Sequence, residues 1–188
     1  MKLYMTFRSP FARRIRLALR RSKIKHEEVF VDVFQPTPEF LRAQPLAIVP
    51  YLELDTGDVL PDSQTILEYL DSRYGGFIPT RFHERVISTY AVGVMTATVA
   101  WVLEGHRSAP SKEFQDEQWA TVLRTGGVLN DRAQSVGDGQ AFWDVATMLE
   151  YLSFRMPDLN WEKRWTHLIP VLERARLNSD FQETKPKA

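Results

Sequence analysis

The stretch 3–7 reads as a short strand. Ser9-Pro10 then signals a helix start, because serine is a favoured N-cap and proline at the first helical position gives up no hydrogen bond. Phe11, Ile15, Ala18 and Leu19 recur behind it at helical spacing, with Arg13, Arg16 and Arg20 on other faces, which predicts a helix over 10–22. Residues 26–33 alternate and are β-branched in the manner of a second strand. Thr37-Pro38-Glu39 opens a short helical segment through Phe40 and Leu41, and Pro45 ends it. A strand over 48–54, the turn Asp55-Thr56-Gly57-Asp58 and Val59-Leu60 form a hairpin signal, and Ile66, Leu67, Tyr69 and Leu70 place an amphipathic helix up to Arg73. The order β-α-β-α-β-β-α implies a mixed sheet, since a βαβ unit sets its strands parallel and a hairpin adds antiparallel ones.

Tyr74-Gly75-Gly76-Phe77-Ile78-Pro79 carries the punctuation of a linker. Beyond it strand alternation stops. Helical patterns run over 80–106, 111–135, 141–155 and 167–178, with breaks expected at Gly126-Gly127 and Gly137-Asp138-Gly139. The chain therefore divides into an α/β domain over 1–75, a linker over 76–82 and an all-α domain over 83–188, with the polar stretch from Glu183 to Ala188 expected to fray.

Composition narrows the function. The 188 residues contain no cysteine, 24 basic against 24 acidic side chains, 44% hydrophobic residues and 12% aromatic ones. Such a chain can bury a core, which excludes a disordered or fibrous protein. Without cysteine there is no disulfide, thiolate metal site, iron–sulfur cluster or cysteine nucleophile, so sulfur chemistry would need a ligand's sulfur. Zero net charge speaks against nucleic-acid binding. The N-terminus lacks the apolar stretch of a signal peptide, and 90–103, interrupted by Gly93, Thr96 and Thr98, reads as a buried core helix rather than a membrane span. A soluble cytoplasmic protein with no membrane partner is expected. His26, His83, His106 and His167 lie far apart, so no metal site is expected either. Trp101, Trp119, Trp143, Trp161 and Trp165 all fall in the helical part and read as core, with one or two lining an apolar substrate pocket at the domain interface as the alternative. The basic run Arg8, Arg13, Arg14, Arg16, Arg20, Arg21, Lys23 and Lys25 reads as a solvated helix face, with an anion or nucleic-acid patch or ion pairs across a dimer as the alternatives.

Three places could carry chemistry. Ser9 puts a hydroxyl at a helix N-terminus, where free N–H groups and the dipole favour negative charge; it either caps its helix or stabilises an anion. Val49-Pro50 stands at a predicted strand start. A trans bond there is the ordinary case, whereas a cis bond would turn the Val49 backbone toward a ligand as an added strand would. Asp62 and Ser63, both N-cap types, precede the helix at Ile66 and either cap it or hold a ligand's ammonium and carboxylate.

Taken in order, S-P-F-A-x-R at 9–14, P-x-x-x-V-P at 45–50 and D-S at 62–63 followed by I-L-E-Y-L resemble the N-terminal domain of the glutathione transferase superfamily. The helical remainder resembles that family's second domain. The likeness is to bacterial serine-type members, and F-R-S-P-F-A-R-R is similar to the Zeta and Omega groups, with serine where Omega enzymes have cysteine. The resemblance implies a thioredoxin-like α/β domain joined to an all-α domain, with glutathione as co-substrate. Ser9 would donate a hydrogen bond to the glutathione thiolate, lowering the thiol pKa. Val49, before a cis Pro50, would pair with the cysteinyl backbone, Asp62 and Ser63 would bind the γ-glutamyl end, and Phe11 would border the cofactor or second-substrate pocket. A homodimer is implied as well, with the helix over 66–74 and the long helix after Thr80 near its interface.

Two positions depart from the family pattern. Ile48 stands where many members carry a lysine that contacts the glycyl carboxylate, and Ala141 lacks the hydroxyl of an S/T-x-x-D capping box ending at Asp144. The implied activity is attack of the glutathione thiolate on an electrophilic apolar substrate in a cleft between the domains. The alternative motivated by the departures is a glutathione-transferase-like binding or regulatory protein with little or no turnover. Isomerase and dehalogenase chemistry within the family stay open.

Overall fold

A computed structural model describes residues 1–187. The elements are β1 (Lys2–Met5), α1 (Pro10–Arg21), β2 (Glu27–Phe30), α2 (Pro38–Ala43), β3 (Tyr51–Glu53), β4 (Val59–Pro61) and α3 (Ser63–Tyr74), followed by α4 (Phe82–Gly105), α5 (Lys112–Asp131), α6 (Gln140–Arg155), α7 (Trp161–Arg164), α8 (Ile169–Arg176) and α9 (Ser179–Glu183). They form two compact units, one made of Met1–Ile78 with the segment from Asn178 onward, the other of Pro79–Leu177.

In the first unit the sheet order is β2-β1-β3-β4, with β1 parallel to β2 and antiparallel to β3, and β3 antiparallel to β4. The mixed sheet is the one expected. Its strands are shorter than their patterns, because edge strand β2 has only the four-residue β1 to pair with. Leu3, Met5 and Leu52 from the sheet, Ile15 and Leu19 from α1, and Ile66, Leu67 and Leu70 from α3 make the core, which Phe77 closes. Asp71 anchors the exit from α3: one carboxylate oxygen accepts the N–H groups of Phe77 and Ile78. Gly75 and Gly76, at φ 71 and 82, supply the left-handed turn between them.

The basic run is a solvated face only in part: Arg8, Lys23 and Lys25 are exposed, but its middle is not. Arg13, Arg14 and Arg16 are buried. Arg13 donates to the Phe181 carbonyl at 2.7 Å and stacks on the Phe181 ring at 3.9 Å. Arg16 pairs with Glu28 at 2.9 Å and donates to the Thr184 carbonyl at 3.4 Å. Arg20 bridges Glu28 and Glu183. The chain from Asn178 is thereby held on α1, and Thr184 is fully buried, so the fraying expected from Glu183 onward does not hold at Thr184; Ala188 lies outside the described residues. Thr184 can be buried because its carbonyl meets the Arg16 guanidinium and its hydroxyl donates to the Asp180 carbonyl at 2.7 Å.

In the second unit α4 packs on α5 and α6. By length and composition α4 is apolar enough to cross a membrane, and its Ile87, Ala91, Val94 and Met95 are buried. Every residue of α6 from Gln140 to Leu152 is buried, so the helix is covered all round. It begins at Gln140 with Gly139 as N-cap, so Ala141 lies within the first turn rather than at the cap. The fully buried Asp144 carboxylate accepts from Gln140 at 2.8 Å and from Ser88 of α4 at 2.5 Å, tying the two helices. The break expected at Gly126-Gly127 is absent: both lie inside α5. Gly126 is small for another reason, since a β-carbon there would lie 2.1 Å from the ring of buried Trp165.

Gly126→Ala should lower stability by about 1–3 kcal/mol, the range for overpacking a filled core, read as a drop in denaturant midpoint; an unchanged midpoint would show that Trp165 yields freely. Glu28 predicts a pH dependence. Burial would raise its carboxyl pKa, but the hydrogen bond from His26 and the charges of Arg16 and Arg20 outweigh that and bring it from 4.5 to about 2. A carboxylate whose pKa falls on folding stabilises the fold above its unfolded pKa and loses that contribution as pH drops toward the folded one. Glu28→Gln should therefore flatten the stability curve between pH 4.5 and about 2, measured by denaturation across that window.

Candidate functional site

Sheet register gathers the three motifs. Tyr4 pairs with Tyr51 in antiparallel β1 and β3, so the start of β3 lies at the end of β1; Tyr51 pairs with Pro61, so the end of β4 lies there too. Ser9 follows β1, Val49-Pro50 precedes β3 and Asp62-Ser63 follows β4. Residues up to 54 positions apart in the chain thus stand at one end of one sheet.

At Ser9 the capping reading holds. Its extended backbone (φ −76, ψ 121) makes it the N-cap of α1, and Oγ accepts the N–H of Ala12 at 3.1 Å. A hydroxyl also carries a proton to donate, and among the described residues nothing accepts it. The Val49–Pro50 bond is cis. No hydrogen bond among the described residues engages the Val49 N–H or C=O, which leaves both for an extended ligand. The preceding loop is shaped by Gln44, whose side-chain oxygen accepts the Leu46 N–H at 3.2 Å and whose backbone carbonyl accepts that of Ala47 at 2.9 Å.

Asp62 caps α3 through one carboxylate oxygen, which accepts the N–H groups of Gln64 and Thr65. The other oxygen has no partner among the described residues and can face a cation. Its backbone at φ 57, ψ 162 is a region that side chains avoid, and such strain persists where the surroundings over-determine it. Ser63, the first residue of α3, is buried, and its Oγ accepts from Arg14 at 2.9 Å. Phe11 sits half-buried in the first turn of α1. Ile48 is 42% exposed and puts apolar surface where a cation was expected from the family pattern.

The nearby phenols are not rivals to Ser9. Tyr4 donates to Glu53 at 3.0 Å, and burial first, then that bond, raises its pKa. Tyr51, stacked on Tyr4 at 4.3 Å, is pushed up to about 12, chiefly by burial. Two roles behind the motifs escaped the sequence reading: Gln44 before its proline gave no spacing signal, and Arg14, the arginine of S-P-F-A-x-R, gave no sign of its contact with Ser63. Among the described residues no cluster of three or more His, Cys, Asp or Glu could hold a metal ion.

Residues 3–77 match the family described as glutathione S-transferase, N-terminal domain. A glutathione S-transferase from Methylobacillus flagellatus, solved with GSH (glutathione) bound, superposes with a TM-score of 0.90 at 28% identity, over 99% of each chain. Residues 3–77 belong to the glutathione S-transferase N-terminal domain family, and the whole chain has the glutathione transferase fold. A zeta-class glutathione S-transferase of Euphorbia esula is 36% identical over 104 residues, 53% of this chain and 46% of the relative. A maleylacetoacetate isomerase of Pseudomonas aeruginosa is 34% identical over 79 residues, 39% of this chain and 37% of the relative. The chain spans about half or less of the length of these two curated transferase-family relatives.

The strain at Asp62 can be tested by stability alone. Asp62→Gly removes the cap but also the strain of about 1–3 kcal/mol, whereas Asp62→Ala removes the cap, about 1 kcal/mol, and keeps the strain. In urea denaturation the glycine variant should be the more stable of the two; the reverse order would show that the backbone there is relaxed.

Proposed function

We propose that the chain binds glutathione at the end of its sheet and uses Ser9 to hold the sulfur as a thiolate for attack on an electrophilic apolar substrate. The observation that carries this is the Ser9 hydroxyl: its oxygen is pinned by Ala12 N–H at the start of a twelve-residue helix, while its proton has no acceptor among the described residues. A donor aimed at the charged form of a thiol lowers its pKa, and the N-terminal end of α1 adds in the same direction. Glutathione supplies the nucleophilic sulfur that a cysteine-free chain lacks. Val49 would add its backbone to the peptide part of the ligand, Asp62 would meet the γ-glutamyl ammonium, and Ser63 the carboxylate beside it. The exposed Ile48 leaves the glycyl carboxylate without the usual lysine, so more of the affinity falls on the γ-glutamyl end. The homodimer implied by the resemblance and the cytoplasmic location expected from the sequence belong to this reading.

Isomerisation is the second reading, favoured by the likeness to relatives named zeta-class transferase and maleylacetoacetate isomerase. It asks the same of Ser9, because the thiolate again adds to an electrophilic carbon and is later released.

Ser9→Ala should cut turnover by about a hundredfold or more, the range seen when one positioned donor to a developing or stabilised anion is removed. Glutathione affinity should change far less, and the lost cap should cost about 1 kcal/mol of stability. Steady-state rates with an aryl halide and with maleylacetoacetate, beside calorimetric glutathione binding, check both readings; unchanged turnover on either substrate used by the natural chain would remove Ser9 from the chemistry.

A further inference from the structure

Arg14 lies on the fifth residue of α1 with 1% of its surface exposed, and its Nη1 donates to Ser63 Oγ at 2.9 Å, across 49 residues of sequence. A guanidinium only donates, so at this contact the Ser63 oxygen must accept. The hydroxyl proton of Ser63 then has to point elsewhere. Ser63 is 6% exposed, and no described residue accepts that proton. It belongs to the first residue of α3, a twelve-residue helix whose N-terminal N–H groups and dipole favour an anion. A serine free to rotate can serve a donor or an acceptor equally well. With one lone pair taken by a buried cation, its proton is turned toward an acceptor, and an anionic one suits it best.

We propose that Arg14 is a positioning residue for ligand selection: acting through Ser63, it makes this end of the site select a ligand that carries a carboxylate there. This rests on the glutathione reading above, in which that group is the α-carboxylate of the γ-glutamyl residue. Arg14 does two things at once. It turns the Ser63 O–H away from itself, so that the proton is on offer before the ligand arrives, and it sets a buried positive charge one hydroxyl behind the carboxylate. Since Arg14 does not itself touch the ligand, removing it alters preference rather than chemistry.

The test compares two ligands on the full chain by calorimetry: glutathione, and the analogue whose γ-glutamyl α-carboxylate is a neutral amide. The natural chain should prefer glutathione by about ten- to a hundredfold, the worth of a hydrogen bond to a charged group. Arg14→Met should lower that preference about tenfold or more while leaving affinity for the amide nearly unchanged, and Ser63→Ala should do the same. The double variant should add little to either, because the two residues act as one device. Equal loss for both ligands in Arg14→Met would make Arg14 a structural tie between α1 and α3 and overturn the proposal. If Arg14→Met does not fold, Arg14→Gln, which keeps a donor but loses the charge, decides: a lowered preference supports the proposal and an unchanged one overturns it. A natural chain that binds neither ligand overturns the glutathione reading itself, and the role of Arg14 with it.

Discussion

Three guanidinium groups on one helix, nearly cut off from water, dictate where the surrounding segments lie. Removing a partner from a buried cation costs several kcal/mol, so every segment packed against α1 must bring oxygen atoms to the right places. Arg16 draws β2 in through Glu28, Arg14 draws in the first turn of α3 through Ser63, and Arg13 and Arg16 draw in the chain after Asn178 through the carbonyls of Phe181 and Thr184. The apolar residues Ala12, Ile15, Ala18 and Leu19 bury the rest of the same helix. α1 is therefore covered on both its apolar and its basic sides, and the basic side is the one that specifies its neighbours, because hydrogen bonds have direction and apolar contact does not.

The candidate site inherits this arrangement. Ser9 begins α1 and Ser63 begins α3, so the arginine contact that ties the two helices also sets the two helix N-termini, and the register of β1, β3 and β4 brings Val49 to the same end of the sheet. The polar equipment is made of hydroxyls, backbone groups and one half-engaged carboxylate. Each has a structural duty and one bonding capacity left over: Ser9 caps and can still donate, Asp62 caps with one oxygen and keeps the other, and Ser63 accepts from Arg14 and keeps its proton. Capping and binding are compatible because a hydroxyl or carboxylate offers more bonding directions than a cap consumes.

What could be read from the sequence was what is decided locally. Ser9-Pro10, Thr37-Pro38 and Asp62 announce helix starts through their own chemistry, and the order of strands and helices, with the mixed sheet it implies, follows from patterns spanning a few residues. The ordered motifs pointed to the family for the same reason. What could not be read depends on partners far along the chain. Arg13 meets Phe181 across 168 residues and Arg14 meets Ser63 across 49, so a run of basic residues looked like a solvated face. Gly126 looked like a helix break because the ring that requires its smallness, Trp165, is 39 positions on. The strained backbone of Asp62 leaves no mark on residue type at all, since aspartate is as ordinary at a relaxed N-cap as at this one.

The hold of the last helix on the first one has a consequence in time. During synthesis α1 and the sheet emerge early, yet the carbonyl that Arg13 needs arrives 168 residues later. At roughly 5–20 residues per second that is a wait of about ten to thirty seconds. Through it Arg14 and Arg16 can meet Ser63 and Glu28, but the first unit cannot close the side of α1 that faces Phe181 and Thr184 until the helical unit between its two pieces has left the ribosome. The first domain to be written is in this sense among the last to be finished.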